Sequence, residues 1–215
     1  AIGVSDGEMT DITLPDKYAF EGGLYIGNEQ KISSLTLSYG LRYSFYSYYG
    51  PGDRYEFGEP LYSGDRRPLI SENKVGKNET IQNYSSLEPR ISVNILLGNT
   101  SSLKGSYNRM TQYIHLLSNT AASSSLDVWT PSTNNIKPEI ADAYVFGYFK
   151  NFKNNTYEAS LELYYKDLQN QIDYIDGADL LINKYIEGDL LTGIGRAYGL
   201  EFLLKKNRGR YNGWF

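Results

Sequence analysis

Along this chain, segments in which apolar and polar residues alternate are joined by connections that are short, long, short, long, in turn. Sustained alternation is the pattern of a β-strand with two unlike faces. In an up-and-down antiparallel sheet, successive connections fall on opposite rims. This order therefore puts every short turn on one rim and every long loop on the other. A soluble sandwich has no reason to sort its loops this way. A barrel that crosses an outer membrane does, with short periplasmic turns and long outside loops.

The segments can be followed one by one. A first strand is expected at Tyr18–Gly27 and a second at Ser34–Tyr49, joined by "NEQKIS". A long connection runs from Gly50 to about Ser86. "PRISVNILL" and "LKGSYNRMTQYIHLL" follow, joined by the tight "GNTSS". After a second long connection, Ser118 to Pro138, "IADAYVFGYFKNF" has apolar residues on both faces, which leaves its register open. "TYEASLELYYKDLQNQIDY" alternates most cleanly. A third long connection, Asp176 to Ile194, leads into "GRAYGLEFLLKK", and "WF" begins one further strand. The strands at Ser34–Tyr49 and Thr156–Tyr174 exceed the roughly 9–11 residues needed to cross a bilayer at a tilt. The expected fold is all-β: an antiparallel, up-and-down transmembrane barrel segment of about eight strands.

In the second strand, Leu35, Leu37, Tyr39, Leu41, Tyr43 and Phe45 are expected to face lipid, with Thr36, Ser38, Gly40, Arg42 and Ser44 facing a wet lumen. Arg42, Glu158, Glu162 and Lys166 would be costly in a packed core but not in such a lumen. Tyr46, Tyr48 and Tyr49 are expected at the lipid–water boundary, where one end of the ring is apolar and the other wet.

Composition narrows the choices. A net charge of −4 gives no basic footprint for nucleic acid, and the absence of cysteine removes disulfides, thiolate metal sites and cysteine nucleophiles. No apolar run reaches the roughly 18 residues of a transmembrane helix, which excludes a helical membrane protein and says nothing of a barrel. The 21 tyrosines and 21 glycines suit an all-β protein with much of its surface at an interface. The N-terminal "AIGVSDGEMTD" shows no signal-peptide pattern.

The blocks "LPDKYAFEGGLYIGNEQKISSLTLSYGLRYSFYSYYGPG", "SSLKGSYNRMTQYIHLLSN", "DVWTPSTNNIKPEIADAYVFGYFKNF", "TYEASLELYYKDLQNQIDY" and "RAYGLEFLLKK" together resemble the barrel domain of TonB-dependent outer-membrane receptors, in the flavour found in Bacteroidota. The resemblance implies a 22-stranded barrel filled by an N-terminal plug, importing a nutrient across the bacterial outer membrane with energy relayed by TonB. It also implies outer-membrane lipid, the rest of the receptor and a substrate-capturing surface lipoprotein as partners, and no cofactor. Residues 1–215 are expected to be a single partial barrel domain from the later part of the barrel, without the plug, the remaining strands or a TonB-contacting segment.

No nucleophile with its base, carboxylate pair or phosphate cradle is visible, so no covalent chemistry is expected. His115, the single histidine, reads as a strand-end residue near the rim. "GIGRAYG" precedes a strand instead of opening a helix, so it is a loop and not a dinucleotide fingerprint. Among the mixed charges Asp53, Arg54, Glu56, Glu59, Asp65, Arg66 and Arg67, a calcium site is the minor reading and a solvated loop gripped by its neighbours the major one. Trp129, with Asp127, Arg66 and Arg67, is the ligand-side candidate set. Trp129 is placed either to stack on a sugar or peptide or, the preferred reading, to pack against a neighbouring loop. Asn78-Glu-Thr and Asn99-Thr-Ser match the glycosylation acceptor pattern incidentally. Two other functional readings remain: a soluble β-sandwich that binds carbohydrate, and a small passive porin.

Overall fold

Alternation extends far enough along most segments to make long strands, which pair in chain order. The structure is a computed structural model that describes residues 16–117, 128–178 and 183–215. Twelve strands are present among these residues: β1 (Tyr18–Ile32), β2 (Leu35–Tyr49), β3 (Gly52–Phe57), β4 (Leu69–Val75), β5 (Thr80–Leu96), β6 (Ser101–Gln112), β7 (Ile114–Leu117), β8 (Val128–Pro131), β9 (Glu139–Phe152), β10 (Tyr157–Tyr174), β11 (Leu190–Lys206) and β12 (Gly213–Trp214). Eight form one antiparallel sheet in the order β1-β2-β5-β6-β9-β10-β11-β12. Two small ribbons, β3-β4 and β7-β8, stand on the long connections. There is no α-helix among the described residues, only a 3-10 turn at Ile186–Asp189.

The sheet is open, with β1 at one edge and β12 at the other. Among the described residues no second sheet of comparable size faces it, which departs from the sandwich alternative, and its ends do not pair as a closed eight-stranded porin would require. The long connections differ from the expectation of plain loops. Gly50 to Ser86 contains β3, β4 and the first residues of β5, and Ser118 to Pro138 contains β8.

Short turns need few residues but unusual backbone. The β9–β10 turn holds Lys153, Asn154 and Asn155 all at positive φ (48°, 54° and 63°). Asparagine tolerates that region, which accounts for the pair of them here.

Register resolves the two faces. Tyr107 lies opposite Tyr144, Tyr144 opposite Tyr165, and Tyr165 opposite Tyr198. This row of tyrosines on four adjacent strands belongs to the outer face, with Phe146, Tyr148, Leu161, Leu163, Leu200 and Phe202 on the same face inward of it. These large apolar side chains are exposed to the surroundings. The register of β9, open in the sequence, is thereby set. One step outward of the tyrosines, Arg109, Asp142, Asp167 and Arg196 make a polar row. The outer apolar stretch of β10 ends at Tyr165, whereas that of β2 runs past the matching residue, Tyr39, to Phe45. The band's centre climbs by about five residues over about four strand steps. At ~3.3 Å per residue and ~4.8 Å between strands this is a strand tilt of about 40°.

The inner face is polar and glycine-rich. Arg42 on β2 lies 3.9 Å from Glu21 on β1 and 4.0 Å from Glu88 on β5. The Tyr25 ring covers Gly27 and Gly40, so closely that a Cβ at either position would meet it.

Candidate functional site

Described buried residues concentrate at the outward ends of the strands, where the long connections fold together. The core there is Tyr46, Tyr48, Ile81 and Tyr113, with a second cluster of Leu117, Ile136 and Leu190. The alternation of β2 continues through its tyrosines, so Tyr46 and Tyr48 share the inner face of Arg42 and Ser44. Tyr46 stacks on Tyr113 (centroids 5.1 Å apart, planes at 4°) and donates to the Ser132 carbonyl at 3.2 Å. Burial of these two rings under the β7 region replaces the expected lipid-boundary placement. Tyr49 is half-buried and lies on the other face, opposite Tyr18.

The three long connections meet at the 3-10 turn. Asp189, fully buried, receives a two-pronged contact from Arg66, whose Nη2 donates to Oδ2 at 2.6 Å, and accepts from Asn183 Nδ2 at 2.8 Å. Glu187 accepts from Asn135 Nδ2 at 2.6 Å and from Thr133 at 3.0 Å. Its backbone carbonyl accepts from Arg67 Nη2 at 2.6 Å, and the Arg67 guanidinium lies over the Phe57 ring. Asn134 and Asn135 both donate to the Tyr55 carbonyl, at 2.7 and 2.9 Å. Arg66 and Arg67 therefore bind the neighbouring connection, as the reading of a loop gripped by its neighbours expects.

A second tether lies at the surface. Lys184 reaches Glu72 at 2.6 Å and lies 3.7 Å from Asp53, while the Tyr185 hydroxyl donates to Glu72 at 3.0 Å. The bond from Lys184 holds the Glu72 carboxyl below its ordinary range and Lys184 correspondingly above its own. Burial, together with Asp53 beside it, pushes the Tyr55 phenol up.

Trp129 is 65% exposed on β8, opposite Leu116, so the structure leaves it out of the packed cluster. Asp127 lies outside the described residues. His115 lies in β7, just past the outward end of β6, and is buried instead of solvated. It is 2% exposed, with Nε2 2.8 Å from Ser132 Oγ and Nδ1 3.4 Å from Glu139 Oε1, close but not aligned as a hydrogen bond. The order Glu139, His115, Ser132 resembles a catalytic relay, but Ser132 is fully buried and no substrate can reach it. Among the described residues no group of three or more acidic or histidine side chains could hold a metal ion. Below the cluster, a cleft of about 480 Å³ opens on the inner face between Glu21, Met110, Tyr113, Glu139 and Leu168. Sequence reasoning missed Asp189, Glu187 and Asn135, whose types are ordinary for loops and whose partners lie in other connections.

The family model for "TonB dependent receptor-like, beta-barrel" matches residues 6–215. The chain belongs to that family. Among solved structures, the FrpB iron transporter from Neisseria meningitidis, F3-3 variant, aligns at 14% identity and a TM-score of 0.57, over 93% of this chain and 25% of that one. Its F5-1 variant aligns at 14% identity and a TM-score of 0.56, over 92% and 25%. The Serratia marcescens hemophore receptor HasR, in complex with its hemophore HasA and heme, aligns at 16% identity and a TM-score of 0.56, over 90% and 32%. At these identities the likeness is one of fold. The chain spans a quarter to a third of the length of the solved proteins it matches. No curated protein matches it at the sequence level.

Proposed function

We propose that this chain is part of the barrel wall of a bacterial outer-membrane receptor that imports a scarce nutrient using energy relayed by TonB. The observation that carries the reading is the family match over residues 6–215, on a sheet whose outer face is apolar and whose inner face carries Arg42, Glu21 and Glu88. The wall supplies a lipid-facing surface, a wet lumen and the outward cluster around Asp189. The rest of the receptor provides the plug, the remaining strands and the TonB contact. The residues described do no covalent chemistry. The ligand side is the outward end, where Trp129, Leu116 and Ile114 share an exposed face on the β7-β8 ribbon. A surface protein that delivers substrate is a fitting partner for that face, as HasA is held by HasR in the structure cited above.

The test is uptake by cells carrying the receptor, with and without TonB, together with heat-modifiable migration of the purified protein. TonB-dependent uptake by a heat-modifiable, detergent-requiring protein is expected. A chain that is folded and monodisperse in water without detergent would overturn the reading.

A further inference from the structure

The two ends of the outer face treat positive charge differently. At the outward end each cation of the polar row has a carboxylate: Arg109 binds Asp142 at 2.8 Å, and Arg196 lies 3.7 Å from Asp167. At the inward end, Lys150, Lys153 and Lys206 have no carboxylate within ion-pair distance among the described residues, and neither do Arg208 and Arg210 in the turn that follows. The ion pair nearest in sequence, Lys205 with Glu158 at 3.8 Å, belongs to the inner face.

Register brings these cations together on the lipid side. Lys150 lies opposite Ala159, and Ala159 opposite Leu204; Phe152 lies opposite Tyr157, and Tyr157 opposite Lys206. All six residues share the outer face at the inward limit of the apolar band. Lys153 Nζ and Lys206 Nζ lie 5.7 and 5.9 Å from the centroid of the same Tyr157 ring, and Lys150 Nζ lies 6.0 Å from that of Phe152. Gly209, at φ 119°, approaches Lys206 so closely that a Cβ there would meet Nζ at 3.5 Å. The turn is thus folded back beside Lys206, with Arg208 and Arg210 flanking that glycine. Long basic side chains over aromatic rings at the end of an apolar band are placed to lie along acyl chains and present their charge at headgroup depth.

We infer that Lys150, Lys153 and Lys206, with the Arg208–Arg210 turn, form a seat for the phosphate of an anionic phospholipid in the leaflet facing the short turns. The inference rests on the barrel-wall reading. A lipid suits the patch better than a soluble anion because Phe152, Tyr157 and Leu204 continue the same surface into the apolar band. Lys150 Nζ donates to the Thr100 and Ser101 hydroxyls at 3.0 and 3.4 Å, which leaves its charge uncompensated. Several cations without a carboxylate at a lipid surface favour an anionic headgroup over a zwitterionic one.

The experiment uses the full-length receptor in a neutral detergent, with bound lipid counted by native mass spectrometry. Phosphatidylglycerol, phosphatidylcholine and inorganic phosphate are the probes. A preference of about tenfold for phosphatidylglycerol over phosphatidylcholine is expected, falling below about twofold in the Lys150→Gln, Lys153→Gln, Lys206→Gln variant. Arginine at the same three positions keeps the preference, which separates charge from folding. An unchanged preference in the glutamine variant, equal binding of the two lipids, or displacement of phosphatidylglycerol by equimolar phosphate would each overturn the seat. Those outcomes leave the barrel-wall reading standing, because heat-modifiable migration of the same preparation reports on it separately.

Discussion

The wall from Tyr144 to Phe152 and the mouth around Asp189 are stabilised in different ways, although the same strands run through both. In the wall, each side chain meets neighbours that the register of adjacent strands supplies: Tyr144 beside Tyr107 and Tyr165, Leu161 beside Tyr148 and Phe202. Lipid accepts one face and water the other, so no individual partner is required. In the mouth, contacts join residues far apart in the chain, with Arg66 and Asp189 separated by 123 positions. There a buried carboxylate depends on one guanidinium. The wall should therefore tolerate changes that respect the face, and the mouth should not tolerate loss of a partner.

The sharpest way to break the comparison is to put a charge on the wrong face. Leu161→Arg, in the middle of the outer apolar stretch of β10, is expected to cost about 3–4 kcal/mol of folding stability in bilayers. Ser92→Arg, on the inner face of β5, should change it by under about 0.5 kcal/mol. Denaturant titration of the reconstituted receptor checks both, and equal costs would erase the distinction between faces.

In the mouth, Arg66→Ala leaves the fully buried Asp189 without its cation and is expected to destabilise the cluster by about 3 kcal/mol. Hydrogen exchange should show faster opening at Ile186–Asp189 and unchanged protection in Tyr157–Tyr165. Spread of the effect into the wall would show that the two regions are one cooperative unit. A smaller effect comes from Tyr46→Phe. It removes the donor to the Ser132 carbonyl, which sits in a buried residue, and should cost about 1 kcal/mol, read in the same exchange experiment. If Tyr46 lay at a lipid boundary, the change would be near neutral.

The weakest expected effect is that of pH. The folded-state pKa of Glu72 is depressed, first by the bond from Lys184. The tether is therefore fully present above the ordinary carboxylate pKa of about 4.3 and is lost as pH falls through the lower folded value. Protection at Lys184 and Tyr185 should stay level from neutral pH to about pH 5 and fall only in stronger acid. Both side chains are exposed, so added salt should blunt the effect.

These contrasts mirror what could be read from the residues alone. The wall was legible because its information is periodic and local. Leu35 to Phe45 alternate, and the short connections fix which strand pairs with which. β1 extends to Ile32, beyond the expected Gly27, because Gln30, Lys31 and Ile32 pair with Leu37, Thr36 and Leu35 on β2. The inner-face placement of Tyr46 and Tyr48 was also present in the parity of β2, hidden by the change in residue type from serine and arginine to tyrosine. The mouth was not legible. Nothing local to Arg66 indicates Asp189, and nothing in "SSSLDVWTPSTNN" indicates that Thr133 and Asn135 will hold Glu187. Those contacts exist because the register of eight strands brings three connections to one place.

The tilt of the strands sets how far the protein stands above its surroundings. β10 has 18 residues. At ~3.3 Å each and ~40° from the membrane normal it rises about 45 Å, whereas the apolar band of such a barrel is about 25 Å tall. Some 15–20 Å of strand is left over, nearly all on the outward side, since the inward turns are short. The Asp189 cluster therefore crowns a parapet and is not level with the lipid. With the ligand side proposed above at the outward end, a macromolecule sliding along the membrane surface would meet the flank of β9 and β10, and productive encounters would come from above.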